Sequence, residues 1–109
     1  AYRGDTPWPA IASLYDALMQ VAPSIGSAVG RAVAVGEAGD PARGLALLEA
    51  LAPAAVASYQ PYWVGRAHLL ALAGRPAEAR RDFERALGLT RQRSLAAHLR
   101  ARHAALPSG

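Results

Sequence analysis

Side chains that could act as nucleophiles or metal ligands are present, but their spacing forms no catalytic motif. The chain has no cysteine, which excludes disulfides, thiolate zinc sites and cysteine nucleophiles. No serine lies in a hydrolase-type nucleophile turn, and no lysine is available to complete a phosphate loop. His98 and His103 are separated by about 140° around a helix, a poor arrangement for sharing a metal. We therefore predict a protein that is not an enzyme and has no metal or cofactor.

Two arginines at equivalent positions are candidates for binding. Arg31 and Arg66 lie 35 residues apart within identical Val-Gly-Arg-Ala segments. A partly buried arginine needs a partner. The favoured structural interpretation is a pair with Asp16, Glu49 or Glu84, or with the last carbonyls of a neighbouring helix. The functional interpretation is that each arginine binds a carboxylate of a partner protein.

An aromatic cluster and a histidine lie close together in the second half of the chain. Trp63 is expected inside, since aromatic residues fill the interior of helical repeats. Tyr59 and Tyr62, beside Pro61, are candidates for contact with a partner, although a role in the core is favoured. His68 lies on the same expected helix, at a position that faces the concave groove of a repeat array, and is a candidate for peptide binding.

Positive charge is concentrated near the C-terminus. The net charge is +4, and residues 75–109 carry eight arginines against three acidic residues. The last expected helix is basic and contains no acid between residues 90 and 106. Its basic side chains could meet nucleic-acid phosphates or an acidic protein surface, but their spread around the helix favours a solubilising cap. They are Arg91, Arg93, Arg100 and Arg102, with His98 and His103.

The elements that must position these residues are helices. Alanine and leucine recur at spacings of three and four, which predicts an all-α fold of about six helices. Capping residues and prolines mark the starts, and glycines mark the ends. The expected helices run from Thr6-Pro7 to Ala22-Pro23, from Ile25 to Ala38 after Ser24, from Asp40-Pro41 through Leu51, from Tyr59 to Ala73, from Pro76 through Leu87, and from Thr90 to Leu106, with a looser stretch over 52–58.

A repeat of 35 residues organises these helices. Val29–Ala32 recurs as Val64–Ala67, and nine of the 23 positions from 29 to 51 match their counterparts. The spacing of Trp63, Ala67, Gly74, Ala79, Phe83 and Ala86 is typical of a tetratricopeptide unit. We predict one domain over 1–109, forming a right-handed superhelical stack of antiparallel helix hairpins. Its parts are a half repeat at 6–23, a degenerate repeat at 24–52, a clearer repeat at 59–90 and a capping helix at 91–106.

The incomplete first repeat has a consequence for assembly. It leaves the face of Ile11 and Leu14 without a neighbouring helix. That neighbour could be an upstream part of a longer protein or a second copy in a homodimer. The absence of a starting methionine favours a piece of a longer protein.

The order of residues also resembles a known family. The resemblance lies in the runs Pro9–Leu18, Ala22–Ser24, Gly30–Val35 and Gly44–Leu48, and continues through Tyr59, Arg66-Ala67, Leu69-Leu70, Gly74-Arg75 and Ala86-Leu87. These residues resemble the C-terminal region of bacterial extracytoplasmic-function RNA polymerase sigma factors that carry a tetratricopeptide-like domain. The chain departs from the family at Gly30, where asparagine is usual, and near Gln92, where a glutamate is usual.

The resemblance implies a cytoplasmic module that modulates transcription initiation through protein contacts. Its partners would be other sigma regions, the polymerase core or a regulator, while DNA would be contacted by upstream regions. One alternative is a scaffold or enzyme appendage that binds a peptide and has no role in transcription. Another is direct nucleic-acid binding by the basic terminal helix. We expect no membrane contact, because no apolar run approaches the length of a membrane span and no signal peptide is evident.

Overall fold

The computed structural model describes residues 6–89 and 93–107. These residues form helices and contain no strand, which confirms the predicted all-α, repeat-like fold. Seven helices are present in the described ranges, one more than expected. They are α1 (Trp8–Val21), α2 (Ile25–Glu37), α3 (Pro41–Glu49), α4 (Pro53–Val56), α5 (Gln60–Leu72), α6 (Pro76–Leu89) and α7 (Arg93–Ala104).

Helix starts follow the expected capping chemistry at two places and depart from it at a third. Ser24 accepts a hydrogen bond from the backbone N–H of Ser27 at 3.0 Å, and Asp40 accepts one from that of Arg43 at 3.0 Å. Thr6 was expected to cap α1, but Pro7 occupies the cap position and provides no side-chain bond. Helix α1 therefore begins one residue later than predicted.

The region between α3 and α5 also differs from the expectation. The stretch over 52–58, expected to be loose, contains the single turn of α4, because Pro53 at its first position is already fixed in a helical φ. Tyr59 precedes α5 instead of starting it. The expected cap at Thr90 lies outside the described residues.

The turns that close the two hairpins share one hydrogen-bond pattern. Gly39 and Gly74 have φ of +122° and +76°, the positive range that residues with a Cβ rarely adopt. The N–H of Asp40 bonds to the carbonyl of Val35 at 3.3 Å, and the N–H of Arg75 bonds to that of Leu70 at 2.9 Å. Both helices thus end in a Schellman motif, in register with the repeat of the sequence.

The hairpins α2–α3 and α5–α6 pack side by side around one interior. Helices α2 and α5 begin and end at positions related by the same 35-residue shift. Helix α2 contacts α1, α3 and α5 and so lies centrally in the array. The larger core cluster joins residues of α2 to α5 and includes Leu45, Leu48, Val56, Leu69 and Leu70.

A glycine allows a close approach between α2 and α3. A Cβ atom at Gly44 of α3 would lie 2.6 Å from the carbonyl oxygen of Ala32 in α2. The same atom would lie 2.8 Å from a methyl carbon of Leu69. Trp63 packs against both core clusters, and its indole N–H donates to the carbonyl of Ala57 at 3.1 Å.

Helix α1 is the least covered of the long helices in the described ranges. It contains no buried residue, whereas α3 and α6 each bury three or more. Leu14, Leu18 and Val21 are 67%, 46% and 84% exposed. Of the two residues expected to lack a neighbour, Leu14 is therefore exposed, whereas Ile11 is half-buried and turned toward α2.

Helix α7 covers the other end of the array. Its Leu99 is buried with Phe83 and Ala86 of α6. His103 Nε2 lies 2.7 Å from Glu84 Oε2 across the same contact. Among the described residues, no helix combines the length and hydrophobicity needed to cross a lipid bilayer.

Candidate functional site

An open groove of about 610 Å³ runs across α1, α2 and α5 and reaches α7. Its walls are mainly apolar and aromatic. Helix α1 and helix α5 form opposite sides, and α2 lies between them. The apolar side chains that line it are Trp8, Ile11, Tyr15, Val29, Val33, Tyr59, Pro61 and Val64.

Glycines allow the walls of the groove to approach the central helix. Gly30 of α2 lies under the ring of Tyr15, where a Cβ atom would be 2.5 Å from Tyr15 Cζ. Gly65 of α5 faces Val33, whose methyl carbon would be 3.0 Å from such an atom. The ring of Tyr15 therefore occupies space that an asparagine side chain at position 30 would need.

The polar end of the groove is a chain of three side chains from three helices. His68 of α5 contacts Glu37 of α2 through Nε2. Its Nδ1 lies 2.8 Å from Arg102 Nη2 of α7. Since a guanidinium can only donate, Nδ1 accepts and Nε2 carries the proton that is donated to Glu37. Arg102 also lies over the ring of Phe83, 4.8 Å from its centroid.

The chemistry available in the groove is that of a binding surface. Its charged groups are tied to one another through His68, and the described residues lining it include no serine, threonine, cysteine or lysine. Concave apolar surfaces with a few fixed polar groups are typical of ligand and peptide sites. The groove can therefore take an apolar segment, with hydrogen-bonding groups available at one end.

Of the candidate aromatic residues and the candidate histidine, only some lie in the groove. Tyr59 and His68 line the groove. Tyr62 is only 8% exposed and belongs to the core, where its ring meets that of Trp63 edge-on at 5.0 Å. Burial raises the pKa of the Tyr62 hydroxyl. Tyr62 points away from the groove because it lies on the side of α5 that packs into the interior.

Both candidate binding arginines form ion pairs with acidic residues of the same chain. Arg31 Nε lies 2.5 Å from Asp16 Oδ1, an ionic contact without hydrogen-bond geometry. Arg66 Nη1 donates to Asp82 Oδ2 at 2.8 Å. Asp16 was among the expected partners, whereas Asp82 was not. Neither arginine lines the groove, so their placement favours the structural interpretation over a contact with a partner.

Asp82 is the important residue that sequence reasoning missed. It is 5% exposed on α6, and burial raises the pKa of its carboxyl while the nearby Arg66 opposes that shift. The spacing of the neighbouring apolar residues could have shown that Asp82 is buried. Position 82 follows Ala79 by three residues and precedes Ala86 by four, which places an acid on the buried stripe of its helix.

The basic residues of the terminal helix do not act as one surface in the described part of the chain. Arg100 is exposed, while Arg102 turns into the groove and is engaged with His68 and Phe83. Arg91 and the side chain of Arg93 lie outside the described residues. His98 is exposed, and His103 is paired with Glu84.

Comparison with known proteins finds similarity to part of a larger protein. An uncharacterized protein of Rhizobium meliloti (strain 1021) is 39% identical over 95 residues, which cover 87% of this chain and 22% of that protein. The chain thus spans about a fifth of the length of the relative that it matches. No protein-family model matches the chain. No solved structure matches it.

Proposed function

We propose that this chain is a protein-interaction module, the C-terminal regulatory domain of an extracytoplasmic-function type of RNA polymerase sigma factor. The observation that carries the interaction role is the apolar groove across α1, α2 and α5. The transcriptional role rests on the resemblance of the runs from Pro9 to Leu87 to such domains. In this role the module modulates initiation and does not itself read the promoter.

The geometry supports a protein partner better than a small polar ligand. The walls are apolar, and the charged groups at the end of the groove already interact with one another. An apolar segment of a protein would displace water from these walls without leaving a buried charge unpaired. The proposed partners are other sigma regions, the polymerase core or a regulatory protein in the cytoplasm.

The length of the Rhizobium relative is compatible with this architecture. The matched region is 22% of that protein, which leaves most of its length for other regions. In a sigma factor those regions would bind the promoter and the polymerase. The competing proposal is a scaffold or enzyme appendage with the same groove and no role in transcription.

Transcription in vitro tests the proposal. Core polymerase is combined with the longer parent protein, either intact or lacking Ala1–Gly109, and transcript yield is measured at the parent's own promoter. We expect the intact protein to initiate and the shortened protein either to fail or to initiate without restraint. Equal yields from the two forms would contradict a regulatory role. If neither form initiates with active core enzyme, the scaffold alternative replaces this proposal.

A further inference from the structure

Helix α1 carries a second apolar surface, on the side away from the groove. We call it the α1 seam and define it as Ala10, Leu14, Ala17 and Val21. All four residues are exposed, Leu14 by 67% and Val21 by 84%. Leu18, 46% exposed, lies beside the seam. The seam is separate from the groove, which α1 lines through Trp8, Ile11 and Tyr15.

The spacing of the α1 seam is that of a helix-to-helix contact. Its members follow one another at intervals of four, three and four residues, the pattern by which one helix packs along another. The two alanines alternate with two larger side chains, so the surface has shallow places for a neighbour's bulky residues. The only charged residue of α1, Asp16, lies on the opposite side and contacts Arg31. The seam therefore suits a second apolar helix.

The repeat register indicates where that helix belongs in the chain. Helices α3 and α6 are the second helices of their hairpins, and each buries its apolar stripe against the helix that precedes it. Helix α1 lies about one repeat before α3, so it occupies the same second position. Within the described residues, no helix precedes α1 to cover it.

The size of the seam distinguishes a tethered helix from a second copy. Stable dimers bury roughly 800 Å² on each partner. A helix face that offers two alanines and two larger aliphatic side chains, Leu14 and Val21, has far less area than that. A helix joined covalently to α1 needs less area, because a short linker gives it an effective concentration in the millimolar range.

We propose that the α1 seam is covered by a helix of the same, longer polypeptide, which precedes α1 and lies antiparallel to it. This helix completes the first repeat. It carries apolar residues at matching intervals, with bulky side chains against Ala10 and Ala17. The similarity to only 22% of a longer relative is in keeping with such an extension. The proposal does not depend on a role in transcription.

Hydrogen exchange of the amides of α1 tests the proposal, measured in the longer parent and in the chain Ala1–Gly109 alone. We expect exchange in α1 to be at least about tenfold slower in the parent. The double substitution Leu14→Gln and Val21→Gln should abolish this difference, since it removes apolar contact and introduces glutamine, a good helix former. Leu72→Gln, on the 49% exposed Leu72 of α5, is the control and should leave the exchange of α1 unchanged.

Two results would overturn the proposal. The first is equal exchange of α1 in the two lengths of protein, which would mean that no upstream helix covers the seam. The second is a concentration-dependent dimer of Ala1–Gly109 in sedimentation that the double substitution removes, which would assign the seam to a second copy. Neither readout involves transcription, so failure here is distinguishable from failure of the proposed function.

Discussion

The ion pair between Arg66 and Asp82 joins the two helices of the second complete repeat. The Asp82 side chain is 8% exposed and that of Arg66 is 24% exposed, so the carboxylate is the more deeply buried partner. A buried pair adds little net stability over an apolar pair, but removal of one partner leaves a charge without compensation. The contact therefore constrains which substitutions α5 tolerates.

Replacement of Arg66 by leucine should destabilise the fold by about 3 kcal/mol, because Asp82 would lose its hydrogen-bonded partner. The measurement is urea unfolding. Adding Asp82→Asn to Arg66→Leu should recover part of the loss, since a neutral amide is less costly to bury than a carboxylate. Arg75→Leu is the control. Its pair with Glu78 is solvent-exposed and should be worth less than about 1 kcal/mol. Equal losses for Arg66→Leu and Arg75→Leu would contradict the structural role.

The pH dependence of Asp82 has a definite sign. Burial raises the pKa of its carboxyl in the folded state above the ordinary value of 3.8, so the folded state holds the proton more tightly than the unfolded state. The stability that this proton binding confers is fully present below about pH 3.8 and is lost as the pH rises through the raised pKa. The free energy of unfolding of the native protein, relative to Asp82→Asn, should thus be larger at pH 4 than at pH 7. A difference that grows toward neutral pH would contradict the raised pKa.

At the residue scale, the sequence identified the candidates but not all of their partners. The 35-residue repeat drew attention to Arg31 and Arg66, and charge chemistry correctly suggested Asp16. Asp82 was missed because the search for partners did not include an acid on a buried stripe. The separation of Tyr59 from Tyr62 depends on which side of α5 faces the interior, and that is decided by the packing of neighbouring helices.

At the scale of elements, the crossing of α2 and α3 depends on a missing side chain. Gly44 brings the two helices close enough that the carbonyl of Ala32 would meet any added Cβ. A backbone atom cannot move aside as a flexible side chain can. The crossing must widen if the glycine is replaced.

We expect Gly44→Ala to lower the free energy of unfolding by about 1–3 kcal/mol, the usual cost of overpacking. Gly88→Ala is the matched control. Gly88 also lies in a helix, and a Cβ atom there would meet nothing within 4 Å. Alanine at 88 should be neutral or stabilising by up to about 1 kcal/mol, because alanine favours the helix. Chemical denaturation of the two variants tests this, and a Gly44→Ala variant as stable as Gly88→Ala would contradict the close crossing.

Elements with strong local signals were predictable, and those without were not. Ser24, Asp40 and the two turn glycines fixed helix ends through bonds within a few residues, and these predictions are confirmed. The single turn of α4 was not predicted, because it lies in a short segment without helical periodicity. The start of α1 was placed one residue early, since Thr6 had the right chemistry for a cap that Pro7 occupies.

At the scale of the whole molecule, the groove combines residues that are distant in sequence. Trp8 and Val64 line it together, and the Glu37–His68–Arg102 chain closes one end. The repeat predicted that His68 would face a concave surface, and the structure places it there. The contribution of α7 could not be predicted, because it depends on how the terminal helix folds back over α6.

We expect the module to bind its partner through this groove, and a charge placed in the groove should disrupt that binding. Pro61 is exposed, lines the groove and is the second residue of α5. Ala42 is exposed, lies away from the groove and is the second residue of α3. An acid is favourable at this position of either helix, so Pro61→Glu and Ala42→Glu form a matched pair.

The measurement is transcript yield from the longer parent protein with core polymerase, with far-UV circular dichroism to check folding. We predict that Pro61→Glu changes the yield in the same direction as removal of Ala1–Gly109, because it places a charge on an apolar binding surface. Ala42→Glu should leave the yield unchanged. If the shortened protein differs from the intact one while Pro61→Glu and Ala42→Glu both behave as the unmodified parent, the groove is not the surface through which the module acts.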